Sequence, residues 1–211
     1  ASLLVLDMEF TNGHSVLGGA VSLLRGSRAA FTGVTFTRCH SAVDGGAIRS
    51  KESTLIIENS AFSQCTSHFY GGGVSLISNP TVHMRSIIFE QTEARLAGGG
   101  IHVAGAKVLK EENQRFYTKL YLENSSFLGC KAQYEGGSLF IGDANFVELY
   151  GVNFDSAAAK YGGAIYSEGS KTSTGLYGCP FQNCSAQLGH ELKRSSGELK
   201  CLGCSRGFTA D

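Results

Sequence analysis

The sequence predicts an all-β fold, a single-stranded right-handed parallel β-helix of about seven coils of 26–27 residues each. Three observations predict it. Phenylalanine recurs at Phe10, Phe36, Phe62, Phe89, Phe127, Phe154 and Phe181, at intervals of 26, 26, 27, 38, 27 and 27 residues. A glycine pair, then a small and an aliphatic residue, follows six of the phenylalanines, the small residue ten or eleven positions on, as in "DGGAIRS" at 44–50 and "YGGAIYS" at 161–167, and the seventh copy is degenerate at Gly189, His190 and Glu191. The stretches between, such as "TLIIENSAF" and "KLYLENSSF", alternate with a period near two and read as strands. Helical repeats would need ten or more residues of 3.6 periodicity, and leucine-rich repeats would need L-x-x-L-x-L; both are absent from the sequence.

Each column has a place in such a coil. Five residues before the phenylalanines stand Val5, Phe31, Ile57, Met84, Leu122, Leu149 and Leu176, all apolar and assigned to the interior. Five residues after them stand Ser15, Ser41, Ser67, Ala94, Ala132, Ala159 and Ala186, small enough for a tight wall. The first glycine of the pair is Gly18, Gly45, Gly71, Gly98, Gly136, Gly162 and Gly189, and the aliphatic that follows is Val21, Ile48, Val74, Ile101, Leu139, Ile165 and Leu192. Coils paired by backbone hydrogen bonds lie about 4.8 Å apart, so equivalent side chains stack into ladders and seven coils make a rod of roughly 30 Å. The glycines allow positive φ at a corner and close approach between coils. Strand twist and crossover rules set the expected right hand.

The β-helix is expected over residues 1–192, with an insertion loop at about 106–117 and a cysteine-bearing cap, or the start of a cysteine-rich module, at 193–211. The insertion carries "KVLKEENQRFY". Its Lys110, Arg115, Phe116 and Tyr117 are candidate partner contacts, because function in solenoids is often placed on such loops.

The bulk composition narrows the function. The 211 residues hold 28 glycines, 2 prolines, 7 cysteines and no tryptophan, at zero formal net charge. Without a basic excess, a nucleic-acid partner is not expected. No apolar run reaches the ~18 residues of a spanning helix. The chain starts at Ala1 with no charged-then-apolar leader, and reads as a mature product or a fragment. Seven cysteines suit an oxidising compartment, and the odd count leaves a free thiol or an outgoing bridge.

Cys39, Cys65, Cys130 and Cys184 fall in one column, three after the phenylalanine, where they read as small buried residues or, on adjacent coils, as a conceivable bridge. The tail "CLGCSRGF" breaks the columns. Cys201 or Cys204 pairing with Cys179 would staple the open end, and Cys184 is a fourth candidate. A zinc site would need a second Cys or His pair near the C-x-x-C. Alternatively, Phe208 lies 27 residues after Phe181 and marks a damaged eighth coil. "NSS" at Asn124 and "NCS" at Asn183 are glycosylation sequons.

Catalytic, cofactor-binding and metal residues are not expected. Enzymes of this architecture that act on acidic polysaccharides stack carboxylates on neighbouring coils beside a cation. Here Asp44 and Glu135 share a column three coils apart, and Glu90 and Asp155 share one two coils apart. His14 and His40 lie on adjacent coils, but a metal would need a third ligand. G-x-S-x-G is absent, as are the flat threonine ladders of an ice-binding face.

The paired signals "GGAI" (45–48 and 162–165), "GGAV" (18–21) and F-x-x-C ("FTRC", "FSQC", "FLGC", "FQNC") resemble the repeats of polymorphic outer membrane proteins, the chlamydial autotransporter adhesins, across about residues 1–192. This sequence prefers Cys where that family's repeats also use Asn. The resemblance implies a pectin-lyase-like β-helix serving as a structural or adhesive rod at the cell surface or outside the cell. The partners would be other protein chains, or matrix and cell-surface glycans, with self-assembly into an oligomer or filament. The alternative is a lyase or hydrolase of acidic glycans.

Overall fold

The computed structural model describes residues 1–104, 118–143, 145–169, 171–188, 192–194 and 198–202. Among them the chain is all β, a parallel solenoid without a helix. Each coil contributes to three walls. The first wall is a 13-stranded sheet, and the second and third are seven-stranded sheets. The solenoid makes about six turns rather than the expected seven. The seven repeat copies form stacked rungs, and consecutive rungs are one turn apart, so seven rungs are joined by one turn fewer.

Register follows the sequence columns. Phe36 pairs with Phe62, Phe62 with Phe89, Phe89 with Phe127 and Phe127 with Phe154. All seven rings stack, with centroids 4.8–5.1 Å apart and planes within 9° of parallel. Phe36 through Phe154 are completely buried. Rung spacing thus sets the ring spacing, and each offset-stacked pair adds about 0.5–1.5 kcal/mol beyond burial. Phe31, Ile57, Met84, Leu122, Leu149 and Leu176 fill the interior beside them.

The corners rest on left-handed residues. The position three before each phenylalanine is left-handed in every coil: Asp7, Gly33, Asn59, Ser86, Asn124, Gly151 and Gly178. The position two after it is likewise left-handed, from Asn12 to Asn183. Asn, Asp, Gly and Ser predominate because a short polar side chain, or none, tolerates αL. In two coils the first corner is so shallow that Thr54–Ser63 and Val82–Glu90 each run through it as one strand.

The glycine pair meets two separate demands. Gly45 has φ of 67°, and a Cβ there would strike the carbonyl of Ile48. At Gly46 a Cβ would strike the Gly72 carbonyl oxygen of the next coil and lie 2.6 Å from that of Thr66. The first glycine therefore turns the chain, and the second admits the neighbouring coil.

A fourth corner is held by a buried polar chain that column reading does not reveal. Asn79 donates from Nδ2 to the Ser53 carbonyl at 2.7 Å and accepts at Oδ1 from the Ile77 amide at 2.8 Å. The Asn79 amide donates to Thr118 Oγ1 at 3.1 Å, and the Thr118 amide donates to Asn145 Oδ1 at 3.1 Å. These side chains satisfy backbone groups where the strand ladders are interrupted.

Parallel stacking continues past residue 192. Leu192–Arg194 pairs with the third wall, and Glu198–Leu202 adds a strand to the first wall, with Cys201 in register with Leu176. The backbone thus follows the eighth-coil path to Leu202. Lys110, Arg115, Phe116, Tyr117 and Cys204 lie outside the described residues.

Candidate functional site

The short second wall turns alternate side chains outward, and two outward columns run the length of the rod. Four residues after each phenylalanine come His14, His40, Thr66, Glu93, Lys131, Ala158 and Ser185. Six after come Val16, Ala42, His68, Arg95, Gln133, Lys160 and Gln187. Between the small buried residues of the column that separates them, these side chains border an open groove of about 760 Å³ that crosses six rungs from His40 to Gln187.

The groove is electropositive. Arg95, Lys131 and Lys160 are permanent cations on three successive rungs, and Glu93 is the one acid on its lining. The three ion pairs among the described residues, Arg25–Glu52, Asp44–Arg49 and Lys51–Glu52, all lie elsewhere. Arg95 meets His68 at 3.0 Å. A guanidinium only donates, so His68 Nε2 is the acceptor. The His14 and His40 rings stack at 5.0 Å, and His40 Nδ1 lies 2.9 Å from Thr66 Oγ1. Burial first, then His14 and His68, lower the His40 pKa. The described residues contain no group of three or more His, Cys, Asp or Glu able to hold a metal.

A second cluster lies on the corner between the second and third walls. His102 is wholly desolvated between Tyr70, at 4.5 Å, and Phe140, at 4.9 Å, and burial pushes its pKa down to about 3. Phe140 stacks on Tyr166 in turn, at 5.8 Å. The column just before the glycines, Asp44, Tyr70, Ala97, Glu135 and Tyr161, is bridged rung to rung as the sequence arranges it. It keeps Asp44 three rungs from Glu135, about 14 Å along the axis. Glu90 and Asp155 are likewise separated by Leu128. Charges on different columns also influence one another. Glu135 and Glu168 both have raised pKa values, chiefly from burial. Glu168 adds to the rise at Glu135, Asp143 adds to that at Glu168, and Lys193 opposes it at Glu135. Lys193 also sits 4.3 Å from the Tyr161 ring centroid.

Cys39, Cys65, Cys130 and Cys179 are buried free thiols. Among the described residues no disulfide joins them, and Cys204 and the Cys201 side chain, the expected partners of Cys179, lie outside those residues. Cys179 continues the inward column of Val34, Ser60, Ile87, Ser125 and Val152, and its Sγ donates to the Leu149 carbonyl one coil back at 3.5 Å. Burial raises the pKa of Cys179, and that of Cys130 to about 11, so neither presents a reactive thiolate. Cys184 Sγ donates to the Phe154 carbonyl at 3.5 Å. Asn124 and Asn183 are exposed left-handed corner residues, and Asn183 Nδ2 donates to Asp155 at 3.2 Å. Comparisons with protein-family models, with curated proteins and with solved structures find no match for the chain.

Proposed function

We propose that this chain is a non-catalytic structural and adhesive rod segment of an extracellular or cell-surface protein, of the type the polymorphic outer membrane protein repeats resemble. The observation that carries the reading is the groove along the second wall. It displays polar and cationic side chains at rung spacing over six rungs, open to solvent and built on a rigid stack. Such a surface suits contact with an extended partner, either a glycan or another protein chain. Oligomer or filament formation fits the apolar side chains exposed on the first wall, Leu4, Leu6 and Ile56 among them. Asn124 and Asn183 stand where a glycan could be attached.

One observation favours a second reading, a lyase or hydrolase of acidic glycans. Glu135 and Glu168 hold their protons more tightly than ordinary carboxyls, beside the Lys193 ammonium. Incubation with pectate, alginate and related polymers, with both binding and unsaturated or reducing-end products followed, separates the two. Binding without product is expected. Product formation that Glu135→Gln abolishes would establish the enzyme reading in its place.

A further inference from the structure

We propose that the groove over the second wall binds one linear acidic polysaccharide, laid parallel to the rod axis, with an anionic group on successive sugars. This inference rests on the adhesive reading and names its surface and its ligand class.

The first argument is periodicity. Arg95, Lys131 and Lys160 supply one permanent cation on each of three successive rungs. Rungs advance by about 4.8 Å, close to the length of one sugar unit in an extended glycan. Arg95 and Lys160 stand two rungs apart in the column six after the phenylalanines, with Lys131 on the rung between in the column four after, so a chain lying along the axis passes a cation on alternate sides at each rung. The six rungs of the groove span about 24 Å, room for a short run of sugars.

The second argument is the rest of the lining. Thr66, Gln133 and Gln187 offer neutral donors and acceptors for hydroxyl groups. On the last two rungs Ala158, Ala159, Ser185 and Ala186 leave one side of the axial path open, and Lys160 and Gln187 border the other. Glu93 stands beside Lys131 in register and offsets part of the positive charge on that side of the groove.

The third argument separates a glycan from other polyanions. Single-stranded nucleic acid is held by aromatic platforms on which bases stack, and the groove lining has no Phe, Tyr or Trp. An acidic peptide would ordinarily add to a sheet edge. The second-wall strands cross the groove and are paired on both sides along its middle, so they offer no such edge there.

The test uses the whole chain with three immobilised probes: a heparin oligosaccharide, a polygalacturonate oligosaccharide and neutral dextran. Both acidic probes should bind, more weakly as salt rises, and dextran should not. The heparin and polygalacturonate arms distinguish sulfate from carboxylate as the preferred anion. The triple substitution Arg95→Ser, Lys131→Ser and Lys160→Ser should weaken binding by about tenfold or more. The same number of cations removed from the first wall, as Arg28→Ser, Arg85→Ser and Lys119→Ser, should change it little. Gln133→Glu, which deletes no cation, should also weaken it. Circular dichroism identical to the parent shows that each variant keeps the fold. Equal loss in the first-wall variant, or no binding of either acidic probe, overturns the groove assignment and leaves adhesion to protein partners standing. An oligonucleotide that competes as well as the glycan overturns the ligand class. Release of shortened products would overturn the non-catalytic reading and leave the groove in place.

Discussion

Single residues in this protein do work that depends on their rung neighbours. Phe89 is completely buried and stacked at 4.8 Å on both Phe62 and Phe127. Phe89→Ala opens a cavity that rigid walls cannot close, and should cost about 3–5 kcal/mol, measured by urea unfolding. The glycines divide into two kinds. Gly26, at φ 72°, has nothing within 4 Å of a built Cβ, so Gly26→Ala should cost only the left-handed strain of about 1–2 kcal/mol. Gly46→Ala would press a Cβ into the backbone carbonyls of Gly72 and Thr66, which have nowhere to move, and should destabilise by more than about 4 kcal/mol. Similar costs for the two would refute the assignment of Gly46 to coil contact. His102 gives a pH prediction. An unfolded histidine protonates near pH 6.5, whereas the folded chain holds His102 neutral down to about pH 3. The unfolded state then binds more protons through that window. Stability should fall as pH drops from about 6.5 towards 3, by up to about 5 kcal/mol at the lower end. His102→Phe should remove that part of the slope and, since Nδ1 is buried without a partner, should be neutral or stabilising by about 1 kcal/mol at pH 7. Unfolding curves across the acid range check both.

At the scale of elements, strand positions and core columns were legible and corners were only half legible. In-register parallel pairing forces a residue at one rung to meet its copy at the next. Shape demands therefore repeat in the sequence, and the phenylalanine, glycine and aliphatic columns could be read directly. The left-handed corners left only a diffuse trace, because Arg38, Gln64 and Gln91 adopt αL alongside the expected Asn and Gly. The buried chain through Asn79, Thr118 and Asn145 leaves no clean column, because Thr118 and Asn145 lie nine residues before their phenylalanines and Asn79 ten, and the residue type changes from rung to rung. Cys179 carries two signals. The C-x-x-C at 201–204 suggests a partner in the tail, while its own column, two before the phenylalanines, places its thiol in the core. Ellman's reagent should find Cys39, Cys65, Cys130 and Cys179 unreactive in the native state and reactive in denaturant. Rapid native labelling of these positions would contradict their burial.

On the scale of the whole molecule, every rung rests on its neighbours and one core runs from Val5 to Cys179. The first wall turns apolar side chains outward, Leu4, Leu6, Ile56 and Ile88 among them. Exposed apolar surface of this kind favours association with a second such surface. Sedimentation should show self-association that rises with concentration, reduced by Leu4→Lys with Ile56→Lys and unaffected by Gln187→Lys in the groove. A concentration-independent monomer would refute this.

The sequence by itself determined the repeat, the parallel stack, the register and the residues that fill it, because translation along the rod carries every position onto its own copy. Only the tertiary structure decided which different columns meet. His68 beside Arg95, His102 between Tyr70 and Phe140, and Lys193 over the Tyr161 ring depend on how sharply each corner turns and how close the walls approach. Those angles are set by packing across the coil, between residues that share no period in the chain.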